Sequence, residues 1–266
     1  IVTTFGVVVA VNDAGPGGII MTVGLLILAY LFYGWFGDVI EESMTGKYNK
    51  AVDSSFRQGM AWFIGSEVFF FLTFFGCLFY FRAIVGPWLG GEGHLGETNM
   101  LWEGFTFSWP MLQLPDATNY VPAKEAMGPM GIPLVNTIIL LSSGGTLTWA
   151  HWGLKKDDNR QLVLGLMITV ALGLLFFAFQ AYEYYHAYHA MGLTLNSGIY
   201  GSTFYMLTGF HGFHVIIGTI MLIVMTVRAM KKHFTQHNHF AFEAAAWYWH
   251  FVDVVWIALF FFVYWL

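Results

Sequence analysis

The sequence predicts an all-α integral membrane protein, on three observations. Hydrophobic residues make up 57% of the chain and charged residues 10%, with a mean hydropathy of +0.61, whereas soluble domains carry about 25% charged residues. Apolar stretches recur at the length of about 20 residues that a helix needs to cross a bilayer. Short polar segments rich in Gly, Pro, Asn and Lys separate them.

The first stretch, Ile1 to Ala10, is apolar but short. Ten helical residues rise about 15 Å, half a hydrocarbon core, so the expectation is the end of a first helix whose start lies upstream. Positions 11–18 read as a turn from Asn12, Gly15, Pro16, Gly17 and Gly18. Apolar runs then cover about 19–36, 58–81, 131–152, 161–181, 200–227 and 243–266. A long segment, about 82–130, holds five of the seven prolines and is expected to cap the helices or pack on another subunit. Seven helices are expected in all, the first one partial, with no internal repeat.

Basic residues set the expected topology. Lys47, Lys50 and Arg57, then Lys155, Lys156 and Arg160, then Arg228, Lys231 and Lys232 fall on one side, leaving Arg82 and Lys124 on the other. The first side is expected to be cytoplasmic. The C-terminus and the 82–130 segment, with Glu92, Glu97, Glu103, Asp116 and Glu125, then face outward. Cys77 is the single cysteine, so an internal disulfide and a Cys-based metal motif are excluded. The net charge of −5 comes without a basic tract, which argues against nucleic acid as a partner.

Glu67 is the most informative residue. It falls near the middle of the 58–81 run, where an ionisable group costs on the order of 2.5 kcal/mol or more. Such an acid faces a partner, a cavity or a proton path, or else is a protonated acid held by a neighbouring helix. His211 and His214 lie three apart on one helical face, a spacing that suits a metal. Glycines beside them suggest close helix approach instead. Asp253, about ten residues into the last helix, is a second buried acid, and His250 shares its face and can hydrogen-bond it; a helix–helix polar clamp is the favoured reading. Trp247, Tyr248 and Trp249 read as an interfacial belt. His186 and His189 read as outer-loop residues, and His233, His237 and His239 as inner-loop residues. Glu41, Glu42, Arg57, Arg228 and His233 stand at inner helix ends, where lipid phosphates and surface ion pairs are equally open readings.

Taken in order, the stretches Gly37 to Ser43, Ser66 to Phe70, Asn136 to Gly144, Thr148 to His151, Gln180 to Tyr184, Ile199 to Phe204, Thr208 to Gly218 and Phe242 to Trp256 resemble subunit III of the haem-copper cytochrome c oxidases. The match covers nearly the whole chain, as one domain over 1–266. The resemblance implies two helices (1–57) set apart from five (58–266) by a V-shaped cleft filled with phospholipid. It implies no catalytic residue, no metal and no redox cofactor in this chain, the haems and copper belonging to subunits I and II. Glu67 matches the family's carbodiimide-reactive glutamate, with His211, His214, His250 and Asp253 as possible polar partners. Trp35, Glu42, Arg57, Arg228 and His233 are the implied lipid contacts. The implied role is support of proton uptake and stability of subunit I, with oxygen approaching through the cleft. Subunits I and II are the implied partners, and cytochrome c and a bc1-type supercomplex are indirect ones. Trp152 stands where the family often has a second histidine. The long 82–130 segment looks like bacterial versions, so a bacterial inner membrane and a periplasmic C-terminus are expected. A quinol oxidase subunit is the alternative, and an independent proton-coupled transporter a more distant one.

Overall fold

The computed structural model describes residues 1–13, 15–93, 100–116, 118 and 120–266, so Glu97 lies outside the described residues. All regular structure among them is helical: α1 Val2–Val11, α2 Gly17–Met44, α3 Lys50–Tyr80, α4 Gly86–Leu89, α5 Ile132–Lys155, α6 Asn159–His189, α7 Gly198–Met230 and α8 Phe240–Leu259. Wider π-type turns extend α3 over Phe81–Val85 and α8 over Phe260–Trp265. Six of these helical stretches are long and apolar enough to cross a membrane, and α1 is a shorter apolar helix. The chain is a multi-pass membrane protein. It divides into two compact units, Ile1–Phe56 and Arg57–Leu266.

The first unit is a helical hairpin closed by glycines. A Cβ on Gly6 would lie 2.3 Å from the Met21 backbone nitrogen, one on Gly17 2.3 Å from that of Ala10, and one on Gly24 2.4 Å from that of Thr3. The pairs run in opposite order along the two helices, so α1 and α2 are antiparallel and touch backbone to backbone. Small residues permit this approach, and it stabilises helix pairs where lipid removes the hydrophobic drive.

In the second unit α5 packs on α6, α6 on α7, α7 on α8, and α8 back on α5. Leu140, Leu147, Ala150, Leu166, Phe176, Val215, Trp249, Val252 and Trp256 are fully buried. Hydroxyls cross-link the helices: Thr146 to Thr169 at 2.8 Å, and Tyr184 to Thr208 at 2.7 Å. α3 lays its aromatic side chains on α7 and α8, as in Phe70 on Phe210, Phe71 on Phe251 and Phe63 on Tyr248.

The described residues of the 82–130 segment pack over the end of this unit where α6 finishes and α7 begins. The Lys124 N–H donates to Met191 O at 2.9 Å, and the Met127 N–H to the Tyr200 hydroxyl at 3.0 Å. Met111 and Ala123 are buried.

Two expectations are corrected. α6 runs on to His189, so His186 and His189 are helical, not loop, residues. The sequence hides this because Gln180, Glu183, Tyr184 and Tyr185 look like the polar end of an apolar run. Tyr248 and Trp249 are core residues, with only Trp247 of the triplet exposed. The Trp249 ring fills notches at Gly173 and Gly218, where an added Cβ would sit 2.8 Å from it in each case, and its Nε1–H donates to Ser143 Oγ at 2.8 Å. An indole with its N–H satisfied can be buried entire.

Candidate functional site

Glu67 on α3 meets His214 on α7. The carboxyl Oε2 stands 2.9 Å from His214 Nε2. The other ring nitrogen, Nδ1, is 2.7 Å from Phe210 O. A carbonyl only accepts, so Nδ1 carries a hydrogen and donates. The Nε2–Oε2 contact therefore holds one proton, on either the carboxyl or the ring. The His214 side chain is 8% exposed and the Glu67 side chain 22%. Rings wall the pair in, with Phe71 5.0 Å from the imidazole, Phe70 6.1 Å, and Tyr248 and Phe251 6.2 Å each. Apolar walls strengthen the hydrogen bond and make an unpaired carboxyl costly. The arrangement can keep one proton, or pass it, between α3 and α7.

His211 does not join this site. It is fully buried, and its Nε2–H donates to Val252 O at 3.2 Å, beside Trp256 and Phe176. The two imidazoles share a helix but take different partners, so they do not converge on one ligand. His250 and Asp253 do meet, Nδ1 to Oδ2 at 3.3 Å. The Asp253 carboxyl presses into α5 at Gly144, where a Cβ would lie 2.4 Å from Oδ2. Asp253 Oδ1 is buried without a hydrogen-bond partner.

The five expected lipid contacts fall in both units. In the first, Trp35 is 62% exposed among Phe32 and Phe36, and Glu42 accepts from the Tyr48 hydroxyl at 2.8 Å. In the second, Arg57 pairs with Glu243 and covers the Phe240 ring at 4.9 Å. Arg228 is 6% exposed, lies over Phe234 at 4.7 Å, and accepts at its carbonyl from the His233 N–H at 3.0 Å. Desolvation, then the charges of Arg228 and Lys231, hold the His233 imidazole below its ordinary pKa. Arg57 and Arg228 are thus engaged within the chain, by a carboxylate and by an aromatic face.

Sequence reasoning missed a third buried acid pair. The Tyr264 hydroxyl donates to Glu183 Oε1 at 2.7 Å, and both residues are buried. Glu183 also lines a cavity of about 220 Å³ with Glu125, His186 and Met191 under the capping segment. Its signal was the spacing of Phe176, Gln180, Glu183 and Ala187, one buried stripe along α6.

A sequence profile described as cytochrome c oxidase subunit III matches residues 1–97 and 100–266. Among similar proteins, cytochrome c oxidase subunit 3 of Tachyglossus aculeatus aculeatus is 43% identical over 247 residues, 92% of this chain and 83% of that relative. The subunit 3 of Pylaiella littoralis is 41% identical over 263 residues, 98% of this chain and 86% of its own length. That of Latimeria chalumnae is 44% identical over 248 residues, 93% and 84% of the two chains. With this match over nearly its full length, the chain belongs to the cytochrome c oxidase subunit III family.

Proposed function

We propose that this chain is the supporting subunit of a proton-pumping terminal oxidase that passes electrons from cytochrome c to oxygen. It works beside subunits I and II, which carry the haems and copper, and it holds no redox centre and no catalytic residue of its own. The observation that carries the reading at residue level is the Glu67–His214 pair: one proton between two titratable groups, walled by aromatic rings. In this role the pair sustains proton uptake and turnover lifetime of subunit I from within the membrane. Exposed Trp35 beside Phe32 and Phe36 offers an apolar face to acyl chains. In the second unit Arg57, Arg228 and His233 are head-group contacts of bound phospholipid, in the first unit Glu42 is one, and oxygen enters along lipid. Cytochrome c and a bc1-type partner act on the complex through the other subunits. The length of the 82–130 segment supports a bacterial cytoplasmic membrane with a periplasmic C-terminus; the named relatives are eukaryotic, so fractionation with an organelle would overturn that placement.

Tagged purification in mild detergent tests the role, with haem spectra taken before and after this chain is stripped off. Haem that co-purifies, then stays with the remaining subunits while their turnover decays faster, is the expected result. Haem leaving with this chain would overturn the absence of a redox centre. No haem at any stage would return the transporter reading, in which Glu67 and Asp253 carry protons without partner chains. Oxidation of quinol in place of cytochrome c would select the alternative donor.

A further inference from the structure

We propose that His151, His239 and Glu243 form a binding site for a divalent transition metal of the zinc class at the inner ends of α5 and α8. His151 lies in the last turns of α5, His239 immediately precedes α8, and Glu243 is in its first turn. One ligand atom from each, His151 Nε2, His239 Nε2 and a Glu243 oxygen, lies within 4.8 Å of the others. Glu243 Oε1 is 3.3 Å from His239 Nε2 and 3.8 Å from His151 Nε2. Zinc bonds of about 2.0–2.1 Å in a tetrahedron place neighbouring ligand atoms about 3.3 Å apart. One edge already has this length, and the other two need only side-chain adjustment.

The lone pairs point the same way. His239 Nδ1 is 3.0 Å from Thr235 O and so donates to it, which leaves the neutral ring's Nε2 a bare acceptor facing Glu243. Donation of the far nitrogen to a backbone carbonyl is the support that metal-bound histidines commonly have. His151 Nε2 is buried with no hydrogen-bond partner. His239 Nε2 and the carboxylate oxygen, both acceptors, repel one another at this distance unless a cation or a proton lies between them, and the unpartnered His151 Nε2 can turn a lone pair to the same point. Arg57 pairs with Glu243 through Oε2, so the oxygen facing the two rings is the other one. Two imidazoles and one carboxylate with a remaining water position is a donor set that zinc accepts. Such an ion would tie α5 to α8.

Zinc uptake tests the site. The chain is purified through a tag without histidine, in the complex in which it leaves the membrane, stripped with chelator and equilibrated with zinc alone. Bound zinc is counted by elemental mass spectrometry after desalting. His151→Ala and His239→Ala are each expected to lose one zinc per chain relative to wild type, with affinity falling by more than roughly 10–100-fold. His237→Ala, an exposed histidine of the same loop, is expected to lose none. Equal zinc in all four forms would mean that a proton shared by His239 and Glu243 fills the role, and overturns the proposal. Equal loss from His237→Ala would show surface uptake only and overturns it as well. Should an alanine variant not accumulate, one equivalent of zinc must raise the unfolding temperature of the wild type; an unchanged temperature overturns the site.

Discussion

Glu67 and His214 are 147 residues apart in sequence and 2.9 Å apart in space. The proton between them is fixed in number by a third atom, Phe210 O, which commits the other ring nitrogen.

The first prediction follows from that count. Glu67→Gln keeps the shape and can donate an amide hydrogen to Nε2, so the fold is expected to hold within about 1 kcal/mol while the shared proton is lost. His214→Leu leaves the carboxyl without its partner and is expected to cost about 1–3 kcal/mol. Thermal unfolding in detergent separates the two, and turnover lifetime of the Glu67→Gln complex measures the proton's contribution. A Glu67→Gln complex that pumps and lasts as wild type reduces the pair to a packing clip.

A second prediction concerns Gly144. Its missing Cβ makes room for the Asp253 carboxyl. Gly144→Ala is expected to destabilise, and Asp253→Ala to remove most of that penalty, because the clash needs both side chains. A double-mutant cycle should return a coupling of about 0.5–3 kcal/mol. Additive effects would show that the helices shift apart at no cost.

The Trp249 notch gives a third. Gly218→Val drives a branched side chain into a ring that is fully buried, and is expected to cost about 1–3 kcal/mol from overpacking. Ser143→Ala removes only the acceptor of the indole N–H and is expected to cost about 1 kcal/mol. Unfolding temperatures in one detergent give the ranking; a costlier Ser143→Ala would reverse the assignment of this contact to packing.

His233 gives a pH prediction. Its folded pKa is held below the ordinary value of about 6.5. The unfolded chain therefore binds the proton first as pH falls, and native stability drops below that value. The fall in unfolding temperature between about pH 7.5 and 5.5 is expected to be smaller for His233→Gln than for wild type. An equal fall would assign the acid sensitivity to other groups.

Much of this was legible because membrane helices announce themselves. The apolar runs give six of the helices, and the cost of an acid among them singles out Glu67, for which His214 is a partner at helical depth. Two kinds of feature were not legible. Trp249 carries an aromatic-belt composition, and only the glycines of two other helices, Gly173 and Gly218, reveal that its ring is inside. His239 and Glu243 are four residues apart, an ordinary helical pair, and gain meaning only when α5 delivers His151 beside them. Such sites depend on which helix neighbours which, and periodicity within one helix carries no record of that.

The glycine contacts of α1 and α2 have a consequence for handling the protein. Because these helices meet through backbone, they spend almost no side chains on each other, and Phe5, Val8, Ile19 and Val23 of the paired stretch project outward. The hairpin has no interior to fall back on; its surroundings serve as its outer half. Acyl chains or a neighbouring subunit must supply that half, so the vulnerability of Ile1–Phe56 is to delipidation, not to heat or denaturant. Harsh detergent exchange should open this region to protease while Arg57–Leu266 still holds its buried polar pairs.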